Sequence, residues 1–293
     1  MSAEPQEAQK PYRDRFLTVA DGLRLHYRDY PGPADRPPLL CLHGLTRNAR
    51  DFAEFAERYS PRWRVLALDF RGRGSSDYDP LPARYTPLTY ASDVVQMLDQ
   101  LGIEQAVFVG TSLGGLVTMA IGAIAPERIA ASVLNDVGPE LSDAGLERIR
   151  SYVGKSPHFS NWDEVARAIA ENSRHLPASF THADWVKTAR RVCREDAGAI
   201  VFDYDRAIAL PFESKGPVPQ VDLWPLFRVL GKKPLLVVRG ERSDLLSAAA
   251  LEEMQAAVPD MKSVTVVGVG HAPMLDEPEA VAAIDAFLEG IES

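Results

Sequence analysis

The residues most suited to chemistry are a serine and the glycines around it. Gly110-Thr111-Ser112-Leu113-Gly114-Gly115 follows an apolar run typical of a strand and precedes a helical pattern. At a sharp strand-to-helix turn a serine hydroxyl group projects from the edge of a sheet, and small residues two positions away leave room for the strained backbone. The pattern predicts Ser112 as a nucleophile, and an ordinary turn in which Ser112 caps the helix is the alternative.

A serine nucleophile needs a base to remove its proton and a third group to fix the tautomer of that base. In chains with this type of serine turn the acid comes after the serine and the histidine comes last. His271 lies in Gly268-Val269-Gly270-His271-Ala272-Pro273, after the last apolar run, and we predict it as the base. Asp244 follows the strand that ends at Val238, and we predict it as the orienting acid.

Two other carboxylates compete with Asp244 for the role of acid. Asp136 directly follows the strand after the serine-bearing helix, and Glu241 comes three residues before Asp244. Asp244 is preferred because its distance past the strand leaves a loop long enough to turn inward, and Asp136 stays open as the alternative acid. The alternative role for Asp244 is to cap the helix that starts near Ser247.

Acyl transfer also requires N–H donors for the oxyanion of the tetrahedral intermediate. With a serine turn of this kind, one donor follows the nucleophile and the other lies in the loop after the third strand. These are the backbone N–H groups of Leu113 and Leu45, the latter directly after His43-Gly44. His43 is interpreted as a loop-shaping residue or an ordinary loop histidine, without a catalytic role.

The elements that position these residues alternate between strands and helices. Compact apolar runs at 38–42, 65–68, 107–109, 131–135, 234–238 and 263–267 indicate buried strands, with helical stretches between most of them. This alternation predicts an α/β fold with a mostly parallel, doubly wound sheet whose carboxyl strand ends meet at one edge. Phe16 to Val19 and Leu23 to Tyr30, joined by Asp21-Gly22, predict an edge hairpin with a two-residue turn.

The strand pattern stops in the middle of the chain. Helical stretches near Ala144 to Val153, Trp162 to Ser173, Thr181 to Arg194 and Pro225 to Leu230 predict a helical cap over the sheet. We therefore expect a core of residues 1–137 and 231–293 and a cap insertion of residues 138–230.

Together these motifs resemble the cap-bearing branch of the α/β-hydrolase superfamily. The resemblance spans about Phe16 to Leu288 and rests on His43-Gly44, Asp69 to Ser76, Gly110 to Gly115, Gly240 to Asp244, Gly270 to Pro273 and Glu277 to Glu279. It implies an eight-stranded α/β-hydrolase fold and is nearest to carboxylesterases and 3-oxoadipate enol-lactonases. Haloalkane dehalogenases and epoxide hydrolases carry aspartate where this chain has Ser112. Ring-cleavage carbon-carbon hydrolases usually carry asparagine where it has Thr111.

The leading hypothesis is a serine hydrolase that cleaves a small carboxylic ester or lactone through an acyl-enzyme. Carbon-carbon bond hydrolysis, or cofactor-free haloperoxidase or perhydrolase chemistry with the same triad, is an alternative. A ligand receptor on a hydrolase scaffold is another. Arg190, Arg191 and Arg206 in the cap are candidates for binding a substrate carboxylate, and solvated helix faces explain them equally well.

Net charge and composition limit the kinds of molecule that this chain is expected to bind. A formal charge of -9 and a pI near 5.2 disfavour nucleic acid and anionic membrane surfaces. Residues 1–10 lack the apolar segment of a secretory signal, and no apolar run is long enough for a membrane span, so we predict a cytoplasmic protein. No cofactor and no metal are expected, because neither a dinucleotide-binding glycine pattern nor a metal-binding histidine spacing is present. We expect a monomer or homodimer.

Overall fold

The predicted sheet is present in the computed structural model, which describes residues 10–155, 157–172, 180–210 and 222–292. Its eight strands are β1 (Arg13–Thr18), β2 (Arg24–Tyr30), β3 (Leu39–Leu42), β4 (Val65–Leu68), β5 (Ala106–Thr111), β6 (Ile129–Asn135), β9 (Leu235–Gly240) and β10 (Lys262–Val266). They lie in the order β1-β2-β4-β3-β5-β6-β9-β10. Strand β2 is antiparallel to both of its neighbours, and the remaining neighbouring strands pair in parallel. The predicted mostly parallel, eight-stranded sheet is thus confirmed.

Helices connect the parallel strands. In the described ranges they are α1 (Ala53–Tyr59), α2 (Pro87–Gln100), α3 (Leu113–Ile124), α4 (Asp143–Tyr152), α5 (Trp162–Asn172), α6 (His182–Val192), α7 (Trp224–Leu230), α8 (Ala248–Ala257) and α9 (Pro278–Glu292). Helix α2 begins earlier than its apolar pattern, because the Thr86 side chain caps it and Pro87 fits its first turn. Within these ranges no helix is both long and apolar enough to cross a membrane.

The central strands are buried on both faces, which explains their continuous apolar runs. Successive side chains of a strand point to opposite faces, so the four residues of β3 divide between two cores. Leu40 and Leu42 join the core that also contains residues of α2, α3, α7 and α8. Leu39 and Cys41 join the core that contains residues of α1 and α9. The sheet is therefore covered by helices on both sides.

The edge hairpin forms, but its turn is longer than predicted. Thr18 pairs with Arg24, and the backbone of Val19 donates to the carbonyl oxygen of Leu23. Gly22, with φ of 88°, then supplies the left-handed residue that follows a type I turn in three-residue hairpins. Asp21-Gly22 signalled the hairpin correctly, and the positive φ falls on the glycine alone.

The insertion between β6 and β9 contains more than helices. A separate antiparallel pair, β7 (Cys193–Asp196) and β8 (Ala199–Phe202), follows α6 and shortens the predicted helix Thr181 to Arg194. Ala197 and Gly198 connect these strands with φ values of 47° and 85°, a tight turn between short strands. Side chains from α5, α6 and β8 form a small apolar core of their own. Helix α7, in contrast, packs Phe227 and Leu230 into the larger core of the sheet. The division at 138–230 stays a prediction.

Candidate active site

Ser112 sits at a strained turn between β5 and α3. Its φ and ψ are 52° and -113°, a conformation that costs energy for a residue with a side chain. A Cβ atom on Gly110 would lie 2.5 Å from the backbone carbon of Gly114, and one on Gly114 would lie 2.0 Å from the carbonyl oxygen of Leu42. A Cβ atom on Gly115 would lie 2.3 Å from Cγ1 of Val137. The three glycines are therefore required for the turn that presents the serine hydroxyl group.

His271 reaches Ser112 from the loop after β10. Its Nε2 atom lies 3.0 Å from Oγ of Ser112, and its Nδ1 atom lies 2.8 Å from Oδ2 of Asp136. With Nδ1–H donating a hydrogen bond to the Asp136 carboxylate, Nε2 carries no proton and can accept the proton of Ser112. The structure thus brings together the predicted nucleophile, the predicted base and the alternative acid.

Asp136 is held for this role by its surroundings. It directly follows β6, is fully buried, and takes a φ of 56°. Its carboxylate also accepts hydrogen bonds from the backbone N–H group of Gly240 at 2.8 Å and from the Ser243 hydroxyl group at 2.6 Å. These donors, with His271, satisfy the hydrogen-bonding capacity of a carboxylate that has no access to water.

The structure contradicts the predicted contact between Asp244 and His271. The Asp244 carboxylate binds Arg148 of α4, with Nη2 of Arg148 2.9 Å from Oδ1 and Nε in contact with Oδ2. Burial raises the pKa of Asp244, but the hydrogen bonds from Arg148 outweigh it and leave that pKa below its ordinary value. Glu241, the other rival, accepts a hydrogen bond from the backbone of Gly268 at 2.7 Å.

Strand order supplies the physical reason for this correction. Strand β6 lies directly beside β5, whereas β9 lies one strand further away. Adjacent strands are about 4.8 Å apart, so a carboxylate at the end of β6 begins closer to Ser112 than one after β9. The longer loop that favoured Asp244 instead brings Ser243 to Asp136 and turns Asp244 toward the insertion.

The two predicted oxyanion donors border the nucleophile. Leu113 is the first residue of α3, where a backbone N–H group has no acceptor within its own helix. A Cβ atom on Gly44, the residue before Leu45, would lie 3.9 Å from Cβ of Ser112. The loop of Leu45 therefore passes beside the serine, and the oxyanion role of both N–H groups stays a prediction.

His43 shapes that loop. It is completely buried, accepts a hydrogen bond at Nε2 from the backbone N–H group of Phe70 at 3.1 Å, and lies with Nδ1 2.7 Å from the carbonyl oxygen of Gly44. Because Nε2 is an acceptor, the proton is on Nδ1 and is donated to Gly44. Burial lowers the pKa of His43 to about 4, so the ring is neutral at physiological pH.

Arg73 and Asn135 also hold the site, and the sequence reasoning missed both. Arg73 is fully buried and donates from Nε to the carbonyl oxygen of Leu45 at 2.9 Å. Nδ2 of Asn135 donates to Oγ1 of Thr111 at 3.1 Å and to the carbonyl oxygen of Pro273 at 2.8 Å. Asn135 therefore ties the serine turn to the histidine loop. The available signal was a polar residue at the end of a buried apolar strand.

Asp69 anchors the segment that resembles the structural loop after β4. Its carboxylate accepts hydrogen bonds from the backbone of Ala49 at 2.6 Å and of Ser75 at 3.0 Å. His26 lies between Asp69 and Asp14, with Nδ1 2.7 Å from the first carboxylate and Nε2 3.0 Å from the second. Burial lowers the pKa of His26, but the two carboxylates outweigh it and raise that pKa above its ordinary value.

Comparison with known proteins places this geometry in a family. Residues 39–284 match the model of the alpha/beta hydrolase family. The chain is 33% identical over 275 residues to the 3-hydroxybutyrate-oligomer hydrolase of Cupriavidus necator, with 91% of this chain and 93% of that protein covered. It is 30% identical over 261 residues to the 2-(acetamidomethylene)succinate hydrolase of Mesorhizobium japonicum, with 86% and 88% covered.

Solved structures agree. The crystal structure of an alpha/beta hydrolase from Novosphingobium aromaticivorans is 52% identical, covers 96% of this chain and 99% of its own, and superposes with a TM-score of 0.91. Sequence, fold and relatives lead to the same assignment, and this chain belongs to the alpha/beta hydrolase family.

Proposed function

We propose that this hydrolase cleaves a small carboxylic ester through an acyl-enzyme formed on Ser112. The observation that carries the proposal is the continuous hydrogen-bonded series from Asp136 through His271 to Ser112, with distances of 2.8 Å and 3.0 Å. A receptor has no need of an acid, a base and a nucleophile in this order, so the series favours catalysis over binding alone.

In the first half of the reaction His271 removes the proton of Ser112 as its Oγ atom attacks the ester carbonyl carbon. The carbonyl oxygen becomes an oxyanion that the backbone N–H groups of Leu45 and Leu113 stabilise. When the intermediate collapses, the bond to the alcohol oxygen breaks and His271 returns the proton to that oxygen. The products are an alcohol and an ester of Ser112.

In the second half water takes the place of the alcohol. His271 removes a proton from the water, the resulting hydroxide attacks the acyl-enzyme, and the proton passes to Oγ of Ser112 as the acid leaves. Asp136 stays ionised throughout and stabilises the imidazolium form of His271 that both halves create.

One of the relatives favours a short oligoester as the substrate. The Cupriavidus necator protein hydrolyses 3-hydroxybutyrate oligomers according to its name, and the alignment spans nearly all of both chains. We therefore propose an ester between short hydroxy acids as the preferred substrate class. A lactone presents the same bond in a ring and is the alternative within this chemistry.

The test is hydrolysis of a 3-hydroxybutyrate dimer, followed by chromatographic quantification of the monomer. Wild-type protein is expected to release two monomers per dimer, and Ser112→Ala to lose at least about a thousandfold in kcat. Ser263→Ala, which removes an exposed hydroxyl group on β10, is the matched control and keeps full activity. Undiminished turnover by Ser112→Ala would contradict the proposal. Products of carbon-carbon bond cleavage would instead support a carbon-carbon hydrolase, and formation of a peroxy acid would support a perhydrolase.

A further inference from the structure

Two arginines come from segments that border the site, and the first belongs to the oxyanion loop. A Cβ atom on Gly44 would lie 3.4 Å from Cγ of Arg47 and 3.9 Å from Cβ of Ser112. The aliphatic part of Arg47 therefore leaves the loop next to the nucleophile. Its guanidinium group binds Asp51 side-on, through Nε at 2.6 Å and Nη2 at 2.8 Å.

The second arginine, Arg148, comes from α4 in the insertion. It binds the Asp244 carboxylate side-on, through Nε and Nη2. Asp244 directly follows Ser243, whose hydroxyl group donates to the Asp136 carboxylate at 2.6 Å, and that carboxylate lies 2.8 Å from Nδ1 of His271. The Ser142 hydroxyl group contacts the carbonyl oxygen of Asp244, so the start of α4 is fixed to the same loop. Arg148 thus lies on the histidine side of the site.

Tyr152 is one turn beyond Arg148 on α4. Burial raises the pKa of its phenol, and the positive charges of Arg148 and Arg47 lower it. Although burial influences all three groups, 29% of the Arg47 side chain, 32% of the Arg148 side chain and 38% of Tyr152 are accessible to water. All three side chains are thus partly buried and still accessible to solvent.

The two arginines keep N–H donors for a ligand. A guanidinium group has five N–H donors, and a side-on pair with a carboxylate uses two of them. In the part of the chain that the structure describes, Nη1 of Arg47 makes no hydrogen bond. Arg148 uses a further donor on the phenol oxygen of Tyr152, whose own O–H group remains a donor.

We propose that Arg47, Arg148 and Tyr152 form a subsite for a carboxylate of the substrate. A carboxylate is planar and offers four lone pairs, so it can accept from two guanidinium groups and a phenol at once. An alkyl or amide group of the same size leaves those donors unpaired. The subsite selects esters that carry a free carboxylate close to the scissile bond, as the acid end of a short hydroxy-acid oligomer does.

The other cap arginines named from the sequence lie elsewhere. Arg190 and Arg191 line a surface groove with Arg28 and Lys187, and no residue of the triad borders that groove. Arg206 donates to the backbone carbonyl oxygen of Gly154 at 3.2 Å. Selection of a carboxylate next to Ser112 therefore falls to Arg47 and Arg148.

The inference rests on the proposed ester hydrolysis, and the kinetic test compares two forms of one substrate. The 3-hydroxybutyrate dimer is offered as the free acid and as its terminal amide. Arg148→Met and Arg47→Met are expected to lose about ten- to hundredfold in kcat/KM on the free acid, the range for a hydrogen bond to a charged group, and less than about twofold on the amide. Equal losses on the acid and the amide would overturn the subsite.

Two variants distinguish loss of carboxylate recognition from general damage to the protein. Arg148→Met/Asp244→Asn removes the ion pair without leaving a lone carboxylate, and it still loses preference for the free acid. Arg150→Met removes an exposed arginine of the same helix, which lies 3.8 Å from Glu147, and keeps the wild-type preference. A double variant with wild-type preference would show that repulsion by Asp244 caused the single-variant effect, which contradicts direct recognition.

A binding measurement separates this inference from the proposed function. Saturation-transfer NMR with Ser112→Ala requires no turnover, and 3-hydroxybutyrate serves as the probe with 3-hydroxybutyramide as its uncharged control. Contact with the acid that disappears when Arg148→Met is added supports the subsite even if no ester is cleaved. Equal signals from the acid and the amide, in a protein that does cleave the dimer, would refute the subsite and leave the hydrolase intact.

Discussion

Replacing each of the two candidate acids by its amide isostere distinguishes their roles. Asp136→Asn keeps the size of the side chain, and the remaining amide oxygen can still accept from the backbone N–H group of Gly240. It removes the charge that faces His271 Nδ1 at 2.8 Å. Asp244→Asn makes the same chemical change in a carboxylate that binds Arg148.

The two substitutions are expected to lower kcat by very different factors. An asparagine in place of the acid stabilises the wrong histidine tautomer and removes the charge that stabilises the imidazolium form, an effect of about ten-thousandfold in kcat in a serine protease triad. Asp136→Asn is therefore expected to lower kcat by about a thousandfold to ten-thousandfold at nearly constant KM. Asp244→Asn weakens an ion pair that is about one-third exposed, and a loss below about tenfold in kcat is expected.

The assay is steady-state hydrolysis of the 3-hydroxybutyrate dimer, with circular dichroism to confirm that both variants fold. The rate at which a fluorophosphonate labels Ser112 gives a second readout, because it reports activation of the nucleophile without substrate recognition. A thousandfold loss in Asp244→Asn together with near wild-type activity in Asp136→Asn would refute the assignment of the acid.

Three further changes test other parts of the account. Gly114→Ala places a Cβ atom 2.0 Å from the carbonyl oxygen of Leu42 and is expected to lower the free energy of unfolding by about 3 kcal/mol in denaturant titration. Gly290→Ala is the control: its Cβ atom has no described atom beyond its own helix and chain neighbours within 4 Å, and it changes stability by less than about 1 kcal/mol. Because the pKa of His26 is raised in the folded protein, the stability that His26 contributes is fully present below its ordinary pKa of 6.5 and is lost as the pH rises through the folded pKa. His26→Asn should therefore flatten the fall in unfolding free energy as the pH rises above 6.5. Asn135→Ala should lower both kcat and fluorophosphonate labelling by about five- to tenfold with little change in KM, because it removes a hydrogen bond that positions His271, and equal labelling rates would contradict that role.

The sequence predicts most of the sheet because its strands are buried on both faces and their apolar runs are continuous. Leu39 to Leu42 is such a run, and all four residues are inaccessible to water. The strand Cys193–Asp196 escaped prediction because its sequence, Cys-Arg-Glu-Asp, is polar and partly exposed. Pairing with β8, and not its own composition, makes it a strand.

The candidate site, too, was only partly predictable from the sequence. Ser112 and His271 are marked by local patterns, since the glycines around the serine and the position of the histidine after the last strand are properties of short segments. The choice between Asp136 and Asp244 depends on the order of β5, β6 and β9 in the sheet, which no short segment encodes. The pairing of Arg148 with Asp244 depends on how the insertion packs on the core, and no sequence pattern indicated it.

The most direct test of the central claim is covalent labelling of the intact protein with a fluorophosphonate, followed by mass spectrometry of the modified peptide. An activated nucleophile at Ser112 predicts a single adduct on that residue, absent from Ser112→Ala and strongly slowed in Asp136→Asn. An adduct on another serine, labelling that persists in Ser112→Ala, or no adduct on a protein that hydrolyses esters would contradict the account.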